Sequence, residues 1–182
     1  MIDLWFLDQS GFAPTVPTGY RWGRRGVRLI VPWAAPPIRR VNVVGAVAPD
    51  DPAGTRVISA TRRKPAGRYD AAAHLDFGER LVAAGATDRP CVIVLDNYSV
   101  HHRQIVKEAI PDLAARQITF VYLPPSSPEL NPIAPVWKQV KYQDLPERSH
   151  ATDVALQAAV EAALANRARL MKKTIHNLPR SA

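Results

Sequence analysis

The sequence predicts an α/β protein whose mixed central sheet is flanked by helices. In the second half of the chain, short apolar runs alternate with stretches of helical pattern, an order typical of parallel strands joined by helices. In the first half, several β-branched runs lie close enough along the chain to pair as antiparallel strands. With 182 residues, 47% of them hydrophobic and 22% charged, we expect one globular domain spanning residues 1–182.

The first half of the chain begins with a run of apolar and aromatic residues, Ile2–Leu7, which we expect to form a strand that ends at Asp8. Ala13–Gly26 is rich in Pro and Gly and is expected to be a loop. The β-branched runs that follow form the expected antiparallel set, which comprises Val27–Val31, Val41–Val47 and Arg56–Ala60.

The middle of the chain alternates helices and strands. Helical spacing and a stop at Gly85 predict a helix over Tyr69–Ala84. Ser99 is a candidate N-cap for a second helix over Val100–Arg116, which Pro111 is expected to kink or end. The two apolar runs that predict the next strands are Cys91–Leu95 and Ile118–Leu123.

Two further helices are expected near the end of the chain. Asn131 followed by Pro132 is a strong helix start, because Asn caps the first turn and Pro suits the first helical position. An Ala-rich helix over Thr152–Met171 is expected to pack on the sheet. The spacing of the first helix puts four side chains on one face: Ala134, Trp137, Lys138 and Lys141.

The charge of the chain is strongly and unevenly positive. Its formal net charge is +8 and its isoelectric point is near 10.1. Asp50 and Asp51 are the only acids between Arg21 and Arg68. This basic stretch is either a solvated face or a surface for a phosphate backbone, and the strong field of one sign favours DNA. The residues proposed for DNA binding are Arg21, Arg24, Arg25, Arg28, Arg39, Arg40, Arg62, Arg63, Lys64, Lys138 and Lys141.

Compartment and membrane signals point to the cytoplasm. Cys91 is the only cysteine and cannot form an internal disulfide, which fits a reducing compartment. No apolar run approaches the roughly 20 residues that span a bilayer. The first residues lack the basic start and the small-residue cleavage site of a signal peptide.

The candidate chemistry lies at two strand ends. Asp8 follows the first strand and Asp96 follows the strand Cys91–Leu95. If these strands are neighbours, both carboxylates can share hard divalent cations, and two such ions roughly 4 Å apart suit an in-line displacement at phosphorus. Since Mg²⁺ takes oxygen ligands from several directions, a third carboxylate is expected.

Four motifs resemble the catalytic domain of DDE transposases, most closely the bacterial insertion-sequence branch of the mariner superfamily. They are FLDQSGF at 6–12, the pair Trp22-Gly23 with Gly26, LDNYSVHH at 95–102, and LPPSSPELNPIAPVWKQVK at 123–141. The resemblance implies an RNase H-like fold, two Mg²⁺ or Mn²⁺ ions, and DNA strand cleavage followed by joining to target DNA. By position, Asp8 matches the first catalytic acid and Asp96 the second.

The third acid of this family follows Asn-Pro-Ile, and Ala134 stands there in this chain. A methyl group cannot ligate a metal, so the chain is expected to cleave DNA poorly or not at all. Ala134 is an inactivating substitution, a mark of a decayed or repurposed element, or a position whose role passes to a nearby acid such as Glu129. The family's Tyr before Ser-Pro is also replaced, by Ser126.

Three functional hypotheses follow. The first is a transposase catalytic domain with a compromised third carboxylate, acting on transposon ends and target DNA, with a homodimer possible and the bacterial nucleoid as its place of action. The second is a non-catalytic DNA-binding or regulatory protein derived from such a domain. The third, another RNase H-like nuclease, is disfavoured by the run Ser-Pro-Glu-Leu-Asn-Pro-Ile. We also expect the N-terminal helix-turn-helix region usual in this branch to be absent.

Overall fold

Strand β1, Asp3–Phe12, lies at the centre of a five-stranded sheet. A computed structural model describes the chain in these ranges: 2–15, 23–28, 30, 40–49, 56–63, 69–84, 89–97, 104–125, 127–145 and 149–174. The other strands are β2 Val41–Ala48, β3 Arg56–Arg63, β4 Cys91–Leu95 and β5 Ile118–Tyr122. The α-helices are α1 Ala71–Ala84, α2 Gln104–Ala115, α3 Ile133–Gln139 and α4 Asp153–Thr174. A 3-10 turn, Pro128–Leu130, precedes α3, and a π-helical segment, Val140–Asp144, extends it.

The sheet is mixed, with strand order β3-β2-β1-β4-β5. Strands β3, β2 and β1 pair antiparallel, as expected for chain-adjacent β-branched runs. Strands β1, β4 and β5 are parallel, and α2 makes the crossover between β4 and β5. The predicted fold class, an α/β fold with a mixed central sheet and flanking helices, is confirmed.

Each face of the sheet is covered by two helices, because side chains alternate between faces along a strand. On one face, which we call the α1–α2 core, Trp5 and Leu7 of β1 pack with Phe77 and Leu81 of α1. On the other, the α3–α4 core, side chains from β1 and β2 meet those of α3 and α4. Its most enclosed members include Phe12, Val41, Ile133, Val140, Leu156 and Val160. The prediction that the last helix packs on the sheet is therefore confirmed.

The expectation that the first strand ends at Asp8 is wrong, since β1 continues to Phe12. Its parallel pairing with β4 stops at Phe6 and Val94, but its antiparallel pairing with β2 runs on to Phe12. The strand therefore extends beyond the apolar run, because β2 supplies hydrogen bonds to the polar second half of β1.

The strand expected at Val27–Val31 is not found in the described part of that segment. Val27 and Arg28 follow a turn, in which the Val27 amide donates to the carbonyl of Arg24 at 3.1 Å and Gly26 has a φ of +82°. Ile30 is 80% exposed. A β-branched composition favours a strand only where a neighbouring strand pairs with it. Leu29 and Val31 lie outside the described residues.

Pro111 does not end its helix, because α2 continues through it to Ala115. The residues around Pro111 are exposed, so water can satisfy the carbonyl group that loses its helical partner. The proposed cap Ser99, the helix start at Val100 and the stop at Gly85 lie outside the described residues. None of the described helices is both long enough and apolar enough to cross a membrane.

The packing of α4 on the sheet can be tested with Leu156→Ala. Leu156 is fully buried in the α3–α4 core, so the substitution should lower the free energy of unfolding by about 2–5 kcal/mol. Val154→Ala, two residues away at a position that is 58% exposed, is the control and should change it by less than about 0.5 kcal/mol. Urea denaturation measures both, and equal effects would contradict this packing.

Candidate active site

The Asp8 side chain lies on the α3–α4 face of the sheet, half-buried where β1 emerges from its pairing with β4. Both of its carboxylate oxygens accept hydrogen bonds. The backbone N–H of Gln9 donates to Oδ1 at 2.7 Å, and the indole Nε1–H of Trp137 donates to Oδ2 at 3.1 Å. The carboxylate is therefore held from two directions by its own strand and by α3.

Asp96 directly follows β4, beside Asp8. The parallel register pairs Phe6 with Val94, and two residues further along each strand come Asp8 and Asp96. Asp8 is on the α3–α4 side of the sheet, and Asp96 is the residue directly after the end of β4. The charge of the exposed Asp96 is one of the causes that raise the pKa of Asp8, which reflects this proximity. The structure thus brings the two predicted acids together.

Helix α3 is fixed against β1 by Asn131, which is buried just before the helix. Its side-chain Nδ2 donates to the carbonyl of Leu7 at 3.1 Å, and its Oδ1 accepts from the amide of Ile133 at 3.3 Å. The second contact is the cap that the sequence predicted, because it satisfies an amide of the first turn. The first contact is a tie between the helix start and the residue before Asp8.

Position 134 lies on α3 between the two residues that contact β1. Ala134 is three residues from Asn131 and three from Trp137, so it is on the helix face that points to Leu7 and Asp8. Its half-buried side chain is a methyl group and offers no oxygen. Glu129 is exposed on the 3-10 turn before the helix. In the described ranges, no group of three or more His, Cys, Asp or Glu side chains could hold a metal ion.

Burial is the largest cause that raises the pKa of Asp8 above its ordinary value, opposed first by the Gln9 amide hydrogen bond. Lys141 lies close enough to Asp8 for their charges to interact. Burial and the charge of Arg40 lower the pKa of Lys141, whereas the Asp8 charge acts in the opposite direction. Lys141 Nζ sits 5.4 Å from the centre of the Phe12 ring, and the Arg40 guanidinium packs on the backbone of Gly11. Lys141 is therefore close to Asp8, and Arg40 is close to Lys141 and Gly11.

The carboxylates suit a hard divalent cation. Each oxygen of Asp8 uses one acceptor position for a protein hydrogen bond, which leaves further positions for a ligand. Mg²⁺ is commonly bound by one or two carboxylates while it keeps several waters. Asp8 and Asp96 therefore offer oxygen ligands of the kind that such an ion takes, and the side chain at position 134 offers none.

The structure gives mixed positions to the basic residues that the sequence proposed for DNA binding. Lys141 lies near Asp8, Arg40 lies near Lys141, and Lys138 is exposed on the same helix as Lys141. Arg62 is exposed on β3, and its charge acts on Tyr69, as does the charge of Asp96. Three of the proposed basic residues are exposed in or next to the turn before Ile30: Arg24, Arg25 and Arg28. Those outside the described residues are Arg21, Arg39, Lys64 and the side chain of Arg63; Ser126 also lies outside them.

Two residues of the site were not found by sequence reasoning. Trp137 was given no role beyond its place on one face of α3, and it donates to Asp8. Gly45 was not singled out, yet it pairs with Asp8 across β1 and β2 and lies under the Trp137 ring. An isolated glycine inside a β-branched strand was the available signal, since it often marks a close approach of another group.

Comparison with known proteins identifies related sequences and folds. A family model described as DDE superfamily endonuclease matches residues 3–157. No curated protein matches the chain.

Several Mos1 transposase structures share the fold. The paired-end complex with the left transposon end has a TM-score of 0.66 and 14% identity, over 97% of this chain and 52% of that one. The Mos1 strand transfer complex gives 0.60 and 15%, over 97% and 51%. The paired-end complex with Mn gives 0.61 and 15%, over 97% and 52%. At this identity the likeness shows the fold, which is RNase H-like as expected, and the chain spans about half the length of the Mos1 chains.

The raised pKa of Asp8 predicts a pH-dependent effect of Asp8→Asn on stability. An unfolded Asp ionises near 3.8, so the contribution of Asp8 to stability is full below that pH and is lost as pH rises through its higher folded-state pKa. Asn does not ionise, and the change in Tm caused by its altered hydrogen bonding is the same at every pH. The Tm of Asp8→Asn relative to the unsubstituted chain should therefore rise between pH 3.8 and 7.

Thermal unfolding followed by circular dichroism measures this difference. Asp76→Asn, which removes an exposed carboxylate from α1, is the control and should show a much smaller change with pH. A Tm difference for Asp8→Asn that is constant or falls with pH would contradict the assignment.

Proposed function

The chain belongs to the family of DDE superfamily endonucleases, and on that premise we propose that it is the catalytic domain of a transposase. The reaction proposed is cleavage of DNA strands and joining of the new 3′ end to target DNA. The proposed lineage is the bacterial insertion-sequence branch of the mariner superfamily, on the strength of the motif that runs from Leu123 to Lys141.

The observation that carries this proposal is that Asp8 and Asp96 lie close enough for their charges to interact, just beyond the paired part of β1 and β4. They come from strands that are distant in sequence, and no packing requirement explains two neighbouring carboxylates, one of them half-buried. Like charges this close oppose each other's ionisation unless a cation lies between them. The two carboxylates are therefore better explained as metal ligands than as a contribution to the stability of the fold.

The cofactor proposed is Mg²⁺ or Mn²⁺, held by Asp8 and Asp96, with two ions in an intact site. A divalent ion there would activate the attacking oxygen and stabilise the leaving oxygen at phosphorus. The Mos1 paired-end complex with Mn supports this choice of metal. The protein's own part is to fix the Asp8 carboxylate through Gln9 and Trp137 and to place Lys141 near it, with Arg40 beside Lys141.

Ala134 argues against full cleavage activity in this chain. The position faces Asp8 from α3, and its methyl group leaves a second ion without a carboxylate. The second candidate function is therefore a non-catalytic DNA-binding or regulatory protein derived from a transposase. Both candidates keep the same fold and the same basic surface, and they differ in whether cleavage can be measured.

DNA is the proposed partner, contacted through the basic residues near the acids. Lys138 and Lys141 lie on the helix that carries position 134, and Arg40 approaches from the start of β2. A phosphate between these side chains would relieve the repulsion that lowers the pKa of Lys141. A homodimer on paired DNA ends, and action at the bacterial nucleoid in the cytoplasm, belong to the same proposal. The paired-end Mos1 complexes support the DNA partner.

Restoring an acid at position 134 should increase cleavage. Ala134→Glu adds a carboxylate on the face towards Asp8, and we expect Mg²⁺-dependent nicking of supercoiled DNA to rise by at least about tenfold, since even outer-shell changes alter activity by that much. Ala134→Gln has a similar shape without the charge and should give a much smaller increase. Equal activity in all three proteins would contradict the assignment of position 134.

DNA binding should be strongly dependent on salt. For a duplex of random sequence, a plot of log affinity against log salt should have a negative slope that becomes less steep by about 0.9 for each lost phosphate contact. Lys138→Ala and Lys141→Ala should each reduce the slope in this way. Lys107→Ala, at an exposed position on α2, is the control and should not change it. Fluorescence anisotropy measures the slope, and an affinity independent of salt would contradict a phosphate-backbone partner.

A further inference from the structure

We propose that Trp137 is a positioning residue for Asp8 and that Gly45 provides the space in which it acts. This inference rests on the proposed metal-binding role of Asp8. The indole N–H holds one carboxylate oxygen in place, so that the remaining acceptor positions of Asp8 and those of Asp96 face the same divalent cation. Neither residue touches the cation or the DNA in this account.

The first support is the arrangement of donors around Asp8. Gln9 N–H reaches Oδ1 at 2.7 Å from within the strand, and Trp137 Nε1–H reaches Oδ2 at 3.1 Å from α3. One donor on a carboxylate leaves the other oxygen free to rotate, whereas two donors on different oxygens fix the plane of the group. Trp137 is the donor that removes this freedom.

The second support is the space above Gly45. Gly45 is in register with Asp8 on the neighbouring strand, and a Cβ built on it would lie 2.6 Å from Trp137 Cη2 and 2.9 Å from Cζ2. It would also lie 3.3 Å from Ile133 Cδ1, so the Trp137 ring would have to move and the Ile133 side chain would have to shift slightly. The rest of β2 is closely packed and mostly β-branched. A glycine at this one position lets the indole approach β2 closely beside Asp8.

The third support is that α3 cannot easily carry the indole away. Asn131 ties the start of the helix to the Leu7 carbonyl, next to Asp8 in sequence. Ile133, Val136 and the Trp137 ring are buried in the α3–α4 core. The two ties to adjacent residues of β1, one at each end of a seven-residue helix, set both its height and its rotation over the site.

Packing alone does not explain the hydrogen bond. Trp5 of β1 is fully buried in the α1–α2 core, and its indole nitrogen has no hydrogen-bond partner among the described residues. This fold therefore tolerates a buried indole without an acceptor, so a core tryptophan has no need of a carboxylate. Trp5 also supplies a matched control, because it has the same side chain in the same sheet.

The experiment is a titration of Mn²⁺ alone, followed by electron paramagnetic resonance, on the purified chain as it stands. Trp137→Phe keeps the packing ring and removes the N–H, and it should weaken Mn²⁺ binding by about tenfold or more, as loss of an outer-shell partner does. Trp5→Phe should leave the Kd for Mn²⁺ unchanged. Gly45→Ala should weaken it as well, because the added methyl group displaces the indole.

Should Trp137→Phe fail to fold, β-(3-benzothienyl)alanine at position 137 replaces the N–H by sulfur and keeps the shape of the indole. The same weakening is expected, with a Tm close to that of the unsubstituted chain. A Kd that is unchanged in this isostere, or changed equally by Trp5→Phe, would overturn the positioning role.

Asp8→Ala separates this inference from the proposal on which it rests. If Asp8→Ala abolishes Mn²⁺ binding while the Trp137 substitutions leave it unchanged, only the positioning role fails. If Asp8→Ala has no effect, or if the unsubstituted chain does not bind Mn²⁺, the proposed metal site itself fails and the positioning role with it.

Discussion

The contact between α3 and β1 is the constraint on which the candidate site depends. A hydrogen bond from Asn131 to Leu7 and another from Trp137 to Asp8 attach one short helix to two adjacent residues of the central strand. A helix of seven residues has little stability of its own and takes its position from such contacts. Position 134 faces Asp8 because these two contacts lie on either side of it.

The site also shows how function opposes stability in this fold. Burial raises the pKa of Asp8, and the nearby charge of Asp96 acts in the same direction, so the ionised pair is unfavourable in the protein alone. Lys141 is half-buried beside Arg40, which is unfavourable in the same way. Ionisable groups of like charge held together in this way are typical of functional sites, where a bound ligand of opposite charge stabilises them. A cation for the acids and a phosphate for the bases would each do so.

Much of the fold could be predicted from the sequence, because β-branched runs and helical spacing report burial directly. Strand β4 was predicted at its observed bounds, and the cap at Asn131 follows from local chemistry. The extension of β1 to Phe12 could not be predicted from its own residues, since it depends on pairing with β2. The roles of Gly45 and Trp137 were missed for a related reason. They come from a contact between segments about 90 residues apart, and the isolated glycine in β2 signals a close approach without identifying the group that makes it.

Asp8 and Asp96 are proposed to form a divalent cation site to which the Ala134 side chain contributes no ligand. The most direct test is anomalous diffraction from crystals of this chain soaked in Mn²⁺. One anomalous peak is expected within ligand distance of both carboxylates, and a second peak beside position 134 is expected only in Ala134→Glu. Peaks absent from Asp8 and Asp96 in both proteins, or a fully occupied pair of ions with Ala134 in place, would contradict it.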